Sequence, residues 1–297
     1  MFPSRFRYEA PQSLDEAISL LRDGGDYVKV LAGGQSLVPM MKLRFASPEM
    51  LVDINNVPGL DYHRTDADGS LHVGALCRHA DLEHSDLLKG TQPTMAAAAP
   101  LVADPLVRNR GTLVGSVCHA DPQGDWASVM LALGGSVVAQ GTRGKRVIPL
   151  AEFVTGPFQN VLEPDEIVIE AVVPPAKGTR AGGYLKLERR VGDFATVGVA
   201  VAIETSADTV VRAGIALTGV GGSTIGATEA AAALTGKPLT AESIAEAAEL
   251  AAAAAQPKTD HRGSAEYKRQ LVRVFVKRIL AGSQPAAATG EPAERAA

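Results

Sequence analysis

The spacing of apolar residues changes its period several times along the chain. Leu14, Ala17, Ile18 and Leu21 fall on one face of a helical repeat. Ser13 and Glu16 stand where a capping box would open that helix, and Gly24-Gly25 where it would close. Tyr27–Leu31 reads as a strand that runs straight into Ala32-Gly33-Gly34-Gln35-Ser36, and Met50–Ile54 as a second strand. Further on, the pattern predicts strands over Ser70–Gly74, Ser136–Ala139 and Glu166–Val173, the last ended by Pro174-Pro175. It predicts helices over Thr94–Val107, bent or ended by Pro105, and over Asp125–Leu133. A Gly-containing stretch, Lys177–Gly183, marks a change of regime. Three strand-like runs follow, Tyr184–Glu188, Thr196–Ile203 and Val210–Leu217. Three helical runs come after them, around Ala227–Leu234, Ala241–Ala254 and Ser264–Leu280. Strands then helices is the order of an α+β domain. The last residues, 283–297, are rich in Pro, Ala, Gly and Glu and are expected to be disordered.

Composition narrows the classes. At 297 residues, with 46% hydrophobic and 21% charged positions, the chain can bury two or three cores. A net charge of −4 without a basic stripe excludes nucleic acid as the main partner. No signal peptide and no apolar run of spanning length is visible, so a cytoplasmic location is expected, with membrane contact at most peripheral. Cys77 and Cys118 are the only cysteines, too few for an iron–sulfur cluster of this chain's own. The spacing of His79 and His84 is not a zinc signature, and both are expected in solvent.

Two glycine-bearing segments carry the candidate chemistry: residues 32–36 and the run Asn109-Arg110-Gly111-Thr112-Leu113-Val114-Gly115-Ser116. Each offers main-chain N–H groups and small hydroxyls where a bulky side chain would bar close approach. Both are expected to form anion-binding nests, and a pair of them suits a ligand with two adjoining phosphates. Neither follows the G-x-G-x-x-G dinucleotide pattern, and no Walker loop or G-x-S-x-G elbow is present.

In its full setting, Leu31-Ala32-Gly33-Gly34-Gln35-Ser36-Leu37-Val38-Pro39-Met40-Met41-Lys42-Leu43-Arg44 resembles the flavin subunit of the molybdenum hydroxylases, closest to the medium subunit of aerobic carbon monoxide dehydrogenases. Arg110–Ser116 with Asp121-Pro122-Gln123-Gly124-Asp125 resembles a second stretch of that subunit. Tyr184–Thr196 and Asp260–Arg269 resemble a third and a fourth, in the same order. There are departures: Gln35 stands for the usual His, Val114 for a glycine, and Ser116 for Asp or Asn. Valine tolerates positive φ poorly, so Val114 either keeps a negative φ or shifts the loop.

The resemblance implies a two-lobed vanillyl-alcohol-oxidase (PCMH)-type FAD-binding domain over 1–177, with lobes at about 1–56 and 57–177. A smaller C-terminal α+β domain of the carbon monoxide dehydrogenase flavoprotein type would follow over 178–282. It implies FAD contacts at Ala32, Gly33, Gly34, Gln35 and Ser36, and at Thr112, Leu113, Val114, Gly115 and Ser116. Asp125 would meet flavin or ribitol polar groups, Val102 and Val168 its apolar parts, and Lys186 would lie close to the ring or ribitol and raise its potential. Phe194 would either shield the ring or sit in the core. The implied role is electron transfer, with a [2Fe–2S] small subunit and a molybdopterin large subunit in a dimer of heterotrimers. Quinone, NAD or oxygen would be the external acceptor. The resemblance nominates no catalytic residue or metal ligand. The alternatives are a self-sufficient FAD oxidoreductase acting on a small molecule, and a scaffold module that has lost FAD.

Overall fold

A computed structural model describes residues 2–284; most of the stretch expected to be disordered therefore lies outside the described residues. The first lobe comprises β1 (Arg7–Glu9), α1 (Leu14–Gly24), β2 (Val28–Leu31), α2 (Leu37–Lys42) and β3 (Met50–Asp53). Its strands form a parallel sheet in the order β1-β3-β2. The Ser13 hydroxyl accepts from the Glu16 N–H at 3.2 Å, and the Glu16 carboxylate reaches back to the Gln12 N–H at 2.9 Å. Ala17, Ile18 and Leu21 bury the predicted face of α1.

The second lobe opens with β4 (His63–Thr65) and β5 (Leu71–Gly74). Six short helices follow: α3 (His79–Glu83), α4 (Asp86–Thr91), α5 (Pro93–Ala98), α6 (Pro105–Arg108), α7 (Leu113–His119) and α8 (Asp125–Ala132). The lobe ends with β6 (Ser136–Gly141), β7 (Gly144–Pro149), α9 (Leu150–Phe153), β8 (Val154–Gly156), β9 (Gln159–Asn160) and β10 (Ile167–Val173). An antiparallel five-stranded sheet, β4-β5-β10-β6-β7, backs the helices, and Trp126 and Phe153 are wholly buried in the core. The helix expected over 94–107 is two helices. Ala103 takes a left-handed φ of 48° between them, and Asp104 accepts from the Val107 N–H at 2.9 Å to cap the second. Pro105 thus begins a helix: at the first position its missing N–H costs no hydrogen bond and its fixed φ is already helical.

The last part carries β11 (Thr179–Leu187), β12 (Val197–Ser206), β13 (Thr209–Thr218) and β14 (Ile225–Gly226), then α10 (Thr228–Leu234), α11 (Ala241–Ala254) and α12 (Ala265–Gly282). β11 begins five residues before the predicted strand, because Gly182 and Gly183 carry no side chain to display alternation. β12 shows why its sheet is buried on both sides. Val197, Val199, Val201 and Ile203 face the three helices, whereas Ala200 and Ala202 join the core of the second lobe. The small face lets the sheet lie close on α5 and α8.

Candidate functional site

The two glycine segments meet. A Cβ on Gly33 would sit 2.3 Å from the Arg110 carbonyl oxygen and 2.7 Å from Gly111 Cα, so the main chains touch where only glycine fits. A bracket neither motif contains holds them. Asn55 Nδ2 donates to the Ala32 carbonyl at 2.9 Å, and its Oδ1 accepts from Arg78 Nη2 at 2.6 Å. Arg78 Nη1 donates in turn to the Arg110 carbonyl at 2.6 Å. Sequence reasoning missed Asn55 and Arg78, because they act on carbonyl groups and belong to no recognisable run.

Behind this contact opens a cavity of about 590 Å³ between the lobes. Ala32, Gly33, Gly34, Gln35, Ser36, Val102, Thr112, Val114, Gly115, Ser116, Asp125 and Val168 all line it. The two sides are built differently. Along residues 33–36 the chain turns through Gly34 at φ 73°, and none of the four N–H groups donates to an oxygen among the described residues. The second segment is the entry to α7. Thr112 caps it, accepting from the Gly115 N–H at 3.0 Å, and Val114 keeps a negative φ in the first helical turn. The expected second nest is therefore a capped helix start, which explains why valine is tolerated there. The Val114 N–H is free of any acceptor among the described residues.

Leu113 and Lys186 are the two nominated residues off the wall. The Leu113 side chain is buried in the core. Lys186 lies one layer behind Asp125. Its Nζ is buried and donates to the Leu101 carbonyl at 2.8 Å and to Asp125 Oδ2 at 3.2 Å, with Glu188 Oε2 at 3.3 Å. Its charge is thus shared between two carboxylates before it reaches the cavity. Tyr184 donates to Asp125 Oδ1 at 2.6 Å. Burial raises the proton affinity of Asp125, against the opposing pull of Lys186 and Tyr184. Burial and the Asp125 carboxylate push the Tyr184 phenol well above its usual range.

His79 lies on the wall and is 4% exposed, contrary to the expectation of a solvent histidine; His84 is exposed as expected. Burial and the nearby Arg108 and Arg78 guanidinium groups push its imidazole down to about 4, so it is neutral near pH 7. The spacing of α3 gave no sign of this, since the packing partner, Trp126, is remote in sequence. Phe194, half exposed, stands at the cavity with Gly192 and Asp193 and is not a core residue. Arg262, from the fourth matched segment, donates to the Phe194 carbonyl at 2.9 Å and pairs with Asp193 at 3.5 Å.

Residues 4–176 match the family model described as the FAD binding domain in molybdopterin dehydrogenase, and residues 183–282 that of the CO dehydrogenase flavoprotein C-terminal domain. The chain is 41% identical to the carbon monoxide dehydrogenase medium chain of Hydrogenophaga pseudoflava over 94% of its length and 97% of the relative's. It is 39% identical to subunit alpha of the 6-hydroxypseudooxynicotine dehydrogenase complex of Paenarthrobacter nicotinovorans, over 95% of each. Among solved structures, carbon monoxide dehydrogenase from Hydrogenophaga pseudoflava superposes with a TM-score of 0.91 at 42% identity, covering 95% of this chain and 98% of that one. Quinoline 2-oxidoreductase from Pseudomonas putida 86 gives 0.86 at 31% identity, over 95% and 98%. With its two lobes, its cavity and its C-terminal domain in the matching order, the chain belongs to the FAD-binding medium-subunit family of the carbon monoxide dehydrogenase-like molybdenum hydroxylases, and FAD is its cofactor.

Proposed function

We propose that this chain is the electron-transfer subunit of a three-component molybdenum hydroxylase, with FAD seated in the cavity between its lobes. The row of unpaired N–H groups over residues 33–36, set with the Val114 N–H around one cavity, carries the reading. Such donors cost free energy when buried and become strong hydrogen bonds when an anionic oxygen accepts from them. They fit a diphosphate, with the hydroxyls of Ser36 and Thr112 as further donors. Val102 and Val168 supply apolar wall for the uncharged parts of the cofactor. Asp125, fixed by Tyr184 and Lys186, presents a carboxylate that can accept hydrogen bonds at the cavity wall. Bound FAD supplies a two-electron store that can be filled one electron at a time.

The partners are inferred from the relatives, which are named as a dehydrogenase medium chain and a dehydrogenase complex subunit. This chain's two thiols are both pushed up to about 12 by burial and cannot supply four thiolate ligands. On this reading a [2Fe–2S] small subunit is the electron donor and a molybdopterin large subunit the site of substrate oxidation, in a dimer of heterotrimers. Quinone, NAD or oxygen takes the electrons onward. We place the domain division at 177/178, just before β11, and the complex in the cytoplasm; no helix of the described residues is long and apolar enough to cross a membrane.

Native purification followed by size-exclusion chromatography and mass determination tests the proposal. Co-elution of this chain with two others, and FAD reduction that requires both, is the expected result. A stable monomer that turns over a substrate by itself overturns it.

A further inference from the structure

We infer that His79 is a further cofactor-binding residue, a neutral Nε2–H donor to an oxygen of the diphosphate, and that Trp126 positions it. The inference rests on the reading that FAD occupies this cavity. It starts from a one-way hydrogen bond. Trp126 Nε1 lies 3.0 Å from His79 Nδ1, and an indole nitrogen can only donate. Nδ1 therefore accepts, and the single ring proton of the neutral imidazole sits on Nε2. That atom has no hydrogen-bond partner among the described residues, although the residue is 4% exposed and lines the cavity. The donor opens onto the cavity with no protein group to take its hydrogen bond, so a ligand oxygen seated there is a natural acceptor.

Position points to the diphosphate in particular. A Cβ on Gly111 would lie 2.8 Å from His79 Nε2, and Gly111 is also the residue whose main chain Gly33 touches. Gly111 has no positive φ; it is glycine because the imidazole occupies the space its side chain would need. The His79 N–H donates to the Gly111 carbonyl at 2.9 Å, which fixes the ring beside this segment. Nε2 thus stands where the two main-chain segments converge. A neutral donor suits the place, because Arg78 and Arg108 already bring positive charge near the ring.

Trp126 is the only tryptophan of the chain, so its fluorescence reports on this pair alone. In the full-length apo chain, nitrogen-15 spectra of the histidines should show His79 as the Nε2–H tautomer. Addition of FAD or ADP should shift its Nε2 signal, and riboflavin, which lacks the diphosphate, should not. His79→Phe should weaken FAD and ADP binding by roughly ten- to a hundredfold, the range for one hydrogen bond to a charged group. Riboflavin binding should be unchanged. Trp126→Phe, which keeps the donor but releases its tautomer, should weaken FAD binding by less. An Nε2 signal that ignores FAD, or unaltered FAD and ADP affinity in a folded His79→Phe chain, overturns the inference. Should His79→Phe fail to fold, the spectra of the wild-type chain decide alone. If the wild-type chain binds no FAD at all, the cofactor reading itself fails, which is a separate result.

Discussion

The two walls of the cavity solve the same problem with different parts. The wall from the first lobe, residues 32–36, is main chain with small side chains and one long one, Gln35. It leaves its N–H groups unspent, and its one polar hydroxyl, Ser36 Oγ, bonds to nothing among the described residues. The opposite wall is made of side chains that are already committed. Thr112 caps α7, Asp125 is shared by Tyr184 and Lys186, and His79 is held by Trp126. On the proposed function the first wall keeps its donors for binding and serves folding only through its carbonyls, which Asn55 and the first turn of α2 engage. The second does both, and a change there should be felt in stability before it is felt in affinity.

The sharpest way to break this contrast is Lys186→Met. It leaves Asp125 and Glu188 buried without their cation, a change that costs about 3–5 kcal/mol when one partner of a buried pair is removed. Denaturant unfolding should show it. The double variant with Asp125→Asn should recover part of the loss, and if Lys186→Met unfolds like wild type the buried cluster is not a structural unit.

Acid should act on the same wall. His79 titrates near 4 in the folded chain and near 6.5 in the unfolded one. Between these values the unfolded chain binds a proton that the folded chain refuses. Its contribution to stability is intact above pH 6.5 and is lost as the pH falls to 4, on the order of 3 kcal/mol in all. Unfolding free energies measured across that range should fall less steeply in His79→Phe.

On the first wall, Gly33→Ala should separate the two behaviours. Its Cβ meets the Arg110 carbonyl, and relief of that overlap costs about 1–3 kcal/mol and parts the two segments. FAD affinity should fall further than stability does, as measured by flavin titration beside a thermal melt. Equal losses would mean the segment is as structural as its counterpart. The smallest effects come from the two hydroxyls. Ser36→Ala should weaken FAD binding by about 1 kcal/mol with no change in melting temperature. Thr112→Ala should cost about 1 kcal/mol of stability through the lost cap.

The same contrast explains what could be read from the sequence. The first wall was legible through the whole run Leu31–Arg44 and its family resemblance, since glycine and serine alone also make ordinary turns. The helices of the C-terminal domain were legible because Ala241–Ala254 and the run after Ser264 keep a steady period. The second wall was legible only as a list of residues. That Lys186 stands behind Asp125 and that His79 is buried depend on contacts between segments remote in the chain. Trp126 meets His79 across 47 positions, and Lys186 meets Asp125 across 61. Pro105 misled for a local reason, since a proline that ends one helix looks the same as one that starts the next.

Arg262 and β11 carry a consequence for how this protein can be cut. Most of the cavity wall comes from residues before 177, yet Gly192, Asp193 and Phe194 also line it, Tyr184 and Lys186 prop Asp125 from behind, and Arg262 holds Phe194. A fragment trimmed at that seam would keep every nominated loop and lose the joinery under them. The first 177 residues cut loose should therefore lose both stability and the shape of the cavity.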